Sequence, residues 1–288
     1  MLWRWRPDGD YVRDLPNVRR IMPFLMRGKN QSAVYWEQKF DVTETDAFIE
    51  RYRKATGKRV TYHHIVIWAA VHAIAERPRL NRFIAGGRVY QRRGIWISFS
   101  GKKKKDDNHP LVTVKREFDP KWSFEQFIDV IEGDIRESRS DKESTTDKEL
   151  KFFLRIPTLI LWLLVKLVMF LDNINALPSV FIREDPLFAS MFIANLGSLG
   201  MDAGYHHLYE YGNIPLFTVI GKRKLEPWVD QETGEISTRP VVTLRHLYDE
   251  RVEDGLYMAK VLDIFQHRVE HPEAYIDLPE TEDASGAA

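Results

Sequence analysis

Cysteine is absent from the 288-residue sequence, and this absence excludes several classes of function. Disulfides, zinc sites with thiolate ligands and cysteine nucleophiles cannot occur in such a chain. The first ten residues carry Asp8 and Asp10, where a signal peptide would have its apolar core. A chain with neither disulfides nor a leader fits a reducing compartment, so we expect a cytoplasmic protein.

An excess of either charge is absent as well. Lysine and arginine together number 42, as do aspartate and glutamate, so the formal net charge is zero. A neutral chain has no overall basic field that would attract nucleic acid, and we expect no such partner. Histidine and carboxylate residues show no spacing typical of metal ligands, which predicts a protein without a metal site.

Apolar periodicity predicts helices and strands that alternate along the chain. Helices are predicted at residues 42–56, 61–75, 122–135 and 261–269, and Thr61 is placed to cap the second. Strands are predicted at residues 88–90, 95–99, 111–114, 191–194, 214–220 and 240–248. This order predicts an α/β (α+β) fold with a mixed sheet flanked by helices. We expect one domain over residues 1–279 and a flexible acidic tail at 280–288.

A long apolar segment, Ile156 to Leu171, follows a polar connector at residues 137–149. It is shorter than the about 20 apolar residues that span a bilayer. It also carries Lys166, whose insertion at mid-membrane would cost roughly 2.5 to 3.5 kcal/mol. We expect a helix that is buried in the fold or in a subunit interface. Contact with a partner protein or a membrane surface is the alternative, because a helix this apolar must be covered.

The most informative motif runs from Asp249 to Gly255, between a predicted strand and a predicted helix. It reads Asp-Glu-Arg-Val-Glu-Asp-Gly. It resembles the Asp-His-Arg-x-x-Asp-Gly motif in the catalytic domain of dihydrolipoamide acyltransferases of 2-oxo acid dehydrogenase complexes, which are relatives of chloramphenicol acetyltransferase. Further segments follow the order of that family: Asp14 to Arg20, Val60 to Tyr62, Pro78 to Asn81, Met191 to Gly200, Ile214 to Gly221, and His271 with Pro272.

This resemblance covers nearly the whole chain and implies a chloramphenicol acetyltransferase-like fold. Residues 137–185 then form an insertion relative to the family. The resemblance also implies a chemistry: a histidine base takes the proton of a thiol, and the thiolate attacks an acyl thioester. A serine hydroxyl stabilises the oxyanion, while the aspartate of the Asp-Gly pair anchors the loop.

Two of these catalytic groups are replaced in this chain. Glu250 occupies the position of the histidine base, and Ala194, before Asn195, occupies that of the oxyanion serine. The anchor is retained as Asp254. In water the pKa of a glutamate side chain is about 4.3 and that of a thiol about 8.5, so Glu250 is a weak base unless burial or Asp249 and Glu253 raise its pKa. The alternative is a salt-bridged Glu250 in a site that no longer catalyses.

The histidines offer a substitute base. By period-two alternation, His246 shares a strand face with Glu250 and is the candidate we would replace first. His206 and His207 follow the Gly200 turn and lie either at the mouth of the channel or in a packed loop. The candidate catalytic residues are therefore Glu250, Asp254, Asn195 and His246.

We expect a homotrimer, because the family forms its substrate channel between subunits. No tightly bound cofactor is expected; CoA or acyl-CoA is the implied substrate. The cationic run Lys102–Lys105 is typical of a solvated hairpin tip, and a contact with CoA phosphates is the alternative. The hypotheses are an acyltransferase with a degenerate site and a catalytically inactive trimeric scaffold that binds a partner or lipid through residues 156–171.

Overall fold

The computed structural model describes residues 4–102, 111–139 and 155–279. Nine strands lie in this part of the chain: β1 (Gly9–Tyr11), β2 (Ala33–Asp41), β3 (Arg82–Ala85), β4 (Arg88–Arg92), β5 (Ile95–Lys102), β6 (Leu111–Phe118), β7 (Met191–Asn195), β8 (Leu216–Val229) and β9 (Ile236–Asp249). The α-helices are α1 (Asn17–Leu25), α2 (Thr43–Thr56), α3 (Tyr62–Glu76), α4 (Phe124–Arg139), α5 (Thr158–Asn173), α6 (Ser179–Glu184) and α7 (Gly255–Glu270).

A six-stranded mixed sheet is the centre of the fold, in the order β2–β9–β8–β7–β5–β6. The central strand β7 runs parallel to both of its neighbours, β5 and β8, and the other pairs are antiparallel. A smaller sheet has the order β1–β4–β3. The expected α/β class with a mixed sheet flanked by helices is confirmed.

Different elements cover the two faces of the large sheet. Because side chains alternate along each strand, neighbouring residues of one strand contact different covering elements. Leu216 and Ile220 of β8 face α2, α3, α4 and α7 and belong to the main apolar core. Phe217 and Val219 point the other way, into a smaller core that the loop after β7 covers with Leu208 and other residues. A residue on β7, β8 or β9 is therefore assigned to the helix-covered or the loop-covered face.

Several predicted boundaries need correction. Helix α4 extends through Arg139, so residues 137–139 are helical where a connector was expected, and the rest of the connector lies outside the described residues. Most of the run Lys102–Lys105 also lies outside them. The last helix begins at Gly255, six residues before the expected start, because Asp254 caps it. The β8–β9 hairpin is longer than predicted at its tip, where alternating polar residues hide the strand signal.

Of the two forms of burial expected for the apolar segment, burial in the fold is wrong, and burial in a subunit interface stays a prediction. Helix α5 is exposed along most of its length, and only its last turns, with Val168 and Leu171, pack against Leu177, Ile182 and Phe188. The residues of the segment show that it is apolar. They do not show how much of it would pack against the rest of the chain. Among the residues that the structure describes, no helix is long and apolar enough to cross a bilayer.

Candidate functional site

Glu250 follows directly after β9, on a turn whose backbone is held on both sides. Its N–H donates to the carbonyl of Ser32 at 2.9 Å, and its own carbonyl accepts from Arg19 Nη1 at 2.7 Å. The carboxylate itself is half-buried and forms no hydrogen bond or ion pair with the residues described. Within the described part of the chain the Glu250 carboxylate therefore has no salt-bridge partner, although its backbone is held in place.

The neighbours of Glu250 form a buried ion pair with each other. Arg251 Nη2 lies 2.7 Å from Asp249 Oδ2, and its Nε donates to Asp249 Oδ1 at 2.8 Å. The hydroxyl of Ser32 donates to the same Oδ1 at 2.9 Å. Both charges are almost fully buried, and pairing offsets the cost of removing them from water. This pair fixes the base of the turn that carries Glu250.

Asp254 holds the other end of the turn. Its carboxylate accepts from the N–H of Tyr257 at 2.9 Å and so caps α7. Arg19 Nη2 lies 3.3 Å from its second oxygen. These contacts, chiefly the hydrogen bond from the Tyr257 N–H, lower the pKa of Asp254 below its usual value. Arg19 thus bridges Asp254 and the Glu250 carbonyl, the geometry expected of an anchor.

Ala194 and Asn195 end β7, away from this turn. Ala194 faces the loop-covered side, where its methyl group offers no hydrogen-bond donor. Asn195 Oδ1 accepts from the N–H of Ser198 at 3.0 Å and so shapes the turn after the strand. Ala194 pairs with Val219, which pairs with Arg245. Strand spacings then place Ala194 roughly 20 Å from Glu250 within one chain, too far to contact the same reacting atoms.

His246 lies on the helix-covered face of β9. Its ring packs against Phe265 of α7, and its Nδ1 lies 2.7 Å from Thr218 Oγ1. Nε2 is buried without a hydrogen-bond partner in the described part of the chain, and burial lowers the pKa of His246 to about 4. Glu250 comes after the end of β9, so the alternation that linked the two residues does not reach it. The structure does not bring His246 to the Glu250 turn.

His206 and His207 belong to the loop that covers the second face of the sheet. The His206 ring stacks on Phe217 with centroids 4.0 Å apart, and burial lowers its pKa. Arg245 donates to the Ala203 carbonyl and lies 3.8 Å above the Tyr205 ring, so it holds the same loop down. Of the two expectations for His206, the packed loop fits this geometry.

The structure adds three residues to the candidate site. Arg19 falls in the segment Asp14 to Arg20 that carried the resemblance, so a sequence signal existed; Ser32 and Lys29 had none. Lys29 Nζ donates to the carbonyls of Tyr209 and Gly212 at 2.7 and 2.5 Å, and burial lowers its pKa to about 8. It lines a polar cavity of about 180 Å³ that reaches Arg251.

That cavity is smaller than the roughly 300 to 1,000 Å³ of a typical ligand pocket. It cannot hold CoA by itself. No cluster of three or more metal-ligating side chains occurs among the residues described. The described residues thus present an anchored turn with the unpaired carboxylate of Glu250, and a distant strand end where the Ala194 side chain offers no hydrogen-bond donor.

Comparisons with known proteins bear on the fold. No protein-family model matches the sequence, and no curated protein sequence does. A probable dihydrolipoamide acetyltransferase from Listeria monocytogenes is similar in structure, with a TM-score of 0.61 and 18% identity over 94% of this chain and 99% of that one.

Two further structures agree. The dihydrolipoamide acetyltransferase of Azotobacter vinelandii has a TM-score of 0.60 and 16% identity over 92% of this chain and 94% of that one. That structure addresses the role of a serine, a histidine and an asparagine in its catalytic mechanism. A chloramphenicol acetyltransferase has a TM-score of 0.51 and 14% identity over 88% of this chain and 93% of that one. The chain therefore has the chloramphenicol acetyltransferase-like fold.

Proposed function

We propose that the chain is a CoA-dependent acyltransferase-like protein in which Glu250 is the base that faces the substrate. The observation that carries this proposal is that the Glu250 carboxylate has no partner in the described part of the chain. The resemblance assigns this residue to the position of the histidine base, and Ser32 and Arg19 hold its backbone. A carboxylate that is unpaired, on a residue whose backbone is held in place, is available for proton transfer.

The proposed reaction transfers an acyl group from a CoA thioester to an acceptor that carries a protonated nucleophile. Glu250 takes the proton as the nucleophile attacks the thioester carbonyl. The tetrahedral intermediate collapses, the C–S bond breaks, and the thiolate of CoA leaves and takes the proton from Glu250. Because Ala194 gives no hydrogen bond to the oxyanion, about 2.7 to 4 kcal/mol of transition-state stabilisation is missing, and turnover is expected to be slow.

The proposal includes a homotrimer located in the cytoplasm. Within one chain Glu250 and the end of β7 are separated by roughly 20 Å, a distance that follows from strand spacings. A substrate that contacts both must therefore lie between two subunits. Cyclic assembly supplies this, because each subunit can offer its Glu250 turn to the β7 end of the next. CoA or acyl-CoA would occupy the channel thus formed.

The test is turnover of acetyl-CoA and longer acyl-CoAs, followed by the release of free thiol. We expect slow release by the unaltered protein and its loss in Glu250→Gln. Glu235→Gln is the matched control, because Glu235 is an exposed glutamate at the tip of the β8–β9 hairpin. The double change Glu250→His with Ala194→Ser should raise the rate. No thiol release and no CoA binding by calorimetry would refute the proposal.

A second candidate function rests on a different observation, the exposure of helix α5. The chain would then be a catalytically inactive trimeric scaffold that binds a partner protein or lipid through Ile156 to Leu171. The same thiol-release assay separates the two candidates. A scaffold gives no release in the unaltered protein but retains any binding that depends on α5.

A further inference from the structure

Helix α5 exposes apolar side chains around most of its circumference. Successive residues turn by about 100° around a helix, so a run of exposed neighbours cannot share one stripe. Leu159 is 68% exposed, Trp162 55% and Leu164 36%, and these three point in different directions. The exposed apolar residues are Leu159, Ile160, Trp162, Leu163, Leu164, Val165, Leu167 and Phe170.

A second protein surface would cover only part of this helix. An apolar stripe that packs against a neighbour is about 100° wide, and in a bundle each helix keeps its outer side exposed. Within one leaflet, lipid chains and headgroups together cover such a helix around more of its circumference. A lipid leaflet therefore covers more of α5 than a single flat interface does.

The charges of α5 favour an anionic bilayer. Between residues 155 and 171 the charged residues are Arg155 and Lys166, both cations, and Asp and Glu are absent. Lys166 Nζ lies 5.8 Å from the centre of the Trp162 ring. Tryptophan and lysine both favour the headgroup level, the lysine by extending its amine toward the phosphates. Asp172 faces the body of the protein, where it is buried against Arg6.

The length of α5 limits how far the helix can extend into a bilayer. The 16 residues of α5 extend about 24 Å, less than the about 30 Å of a hydrocarbon core. Its last turns stay packed on the domain. We propose that α5 inserts into one leaflet of an anionic membrane, with Arg155 and Lys166 contacting lipid phosphates. This proposal rests on the scaffold candidate and specifies lipid as its partner. It does not depend on whether the chain transfers acyl groups.

The experiment is flotation of the full chain with vesicles of phosphatidylcholine, with and without phosphatidylglycerol. We expect flotation with the anionic vesicles and its loss in the double variant Leu163→Asp, Leu167→Asp. Ile236→Asp is the matched control, because Ile236 is an apolar residue on the β8–β9 hairpin that is even more exposed, at 76% against 52% for Leu163. It should float like the unaltered protein. Arg155→Gln and Lys166→Gln should each weaken binding to anionic vesicles roughly fivefold.

Tryptophan quenching by brominated lipids gives a second measurement. The unaltered chain should be quenched more than Trp162→Phe. Absence of flotation, or equal flotation of the Leu163→Asp, Leu167→Asp variant, overturns the proposal. The proposal is also overturned if sedimentation without lipid shows larger assemblies that the Leu163→Asp, Leu167→Asp variant abolishes. In that case a second copy of the chain, and not lipid, covers α5. Flotation requires no acyl-CoA, so its outcome is separate from that of the thiol-release assay.

Discussion

Three consecutive charged residues, Asp249, Glu250 and Arg251, have two different environments. Asp249 and Arg251 are buried and bound to each other, whereas Glu250 between them has no partner among the residues described. The sequence identified Glu250 as the anomaly, because the resemblance places a histidine there. It did not predict that Asp249 and Arg251 neutralise each other, since that requires the chain to turn back after β9.

This contrast predicts effects of different size on the free energy of unfolding. Arg251→Met leaves Asp249 charged and buried without its partner, which should lower the free energy of unfolding by about 3 to 5 kcal/mol. Glu250→Gln removes no contact and should change it by less than about 0.5 kcal/mol. Urea unfolding measures both. A large loss in Glu250→Gln would mean that the carboxylate is structural and would weaken its proposed role as a base.

The buried ring of His246 predicts how the free energy of unfolding depends on pH. Its pKa in the folded chain is about 4, below the about 6.5 of an unfolded chain. Between these values the unfolded state binds the extra proton, so stability falls as the pH decreases through this window. The contribution of His246 should be about 2 to 3 kcal/mol between pH 7 and pH 4.5.

His246→Gln should remove this part of the pH dependence, because glutamine does not titrate. His207→Gln is the control, since His207 is an exposed residue of the loop, and it should leave the dependence as it is. Urea unfolding at the two pH values gives the difference. An unchanged dependence in His246→Gln would show that the ring is accessible to protons, which would restore His246 as a candidate base.

At the scale of elements, helices whose apolar residues recur at helical spacing could be predicted. Elements whose apolar pattern is interrupted by polar residues could not. Thr61 caps α3 as its position indicated, with His64 completing a capping box. Strand β2 was missed because Glu37, Gln38 and Lys39 interrupt its apolar alternation. Helix α5 was recognised as apolar, but its exposure could not be predicted, since it depends on how little of the body reaches it.

The attachment of α5 to the body yields the next prediction. Arg6 is 1% exposed and binds Asp8 at 2.9 Å and Asp172, at the end of α5, at 2.8 Å. Arg6→Met leaves both carboxylates without this partner. It should lower the free energy of unfolding by about 3 to 5 kcal/mol, and it should speed amide hydrogen exchange in residues 168–177.

Arg93→Gln is the control for this variant. Arg93 also pairs with an aspartate, Asp10, but both side chains are about half or more exposed. Exposed pairs contribute about 0 to 1 kcal/mol, so exchange at residues 168–177 should be unaffected. Unchanged exchange in Arg6→Met would mean that the apolar contacts of Leu171 and Val168 alone hold the helix.

For the whole molecule, the ordered set of motifs was sufficient to predict the fold but not the completeness of the site. Each segment, such as Pro78 to Asn81, is short, yet their order along the chain follows one architecture. The separation of Ala194 from Glu250 became visible only in the sheet register, where Val219 and Arg245 lie between them. Within a single chain of 33.8 kDa the two candidate positions therefore cannot meet.

This separation predicts complementation between chains. If the site forms between subunits of a trimer, Glu250→His and Ala194→Ser need not be in the same chain. An equimolar mixture of the two single variants, unfolded and refolded together, should regain about a quarter of the activity of the double variant. Random assembly around a three-fold axis makes that fraction of the interfaces productive.

Each single variant refolded alone is the control and should stay near the level of the unaltered protein. Sedimentation of the mixture should give a particle of three times 33.8 kDa. Activity that appears only in the double variant, and never in the mixture, would place both groups in one chain. Since the roughly 20 Å between them follows from strand spacing alone, that outcome would require a different pairing of β7, β8 and β9.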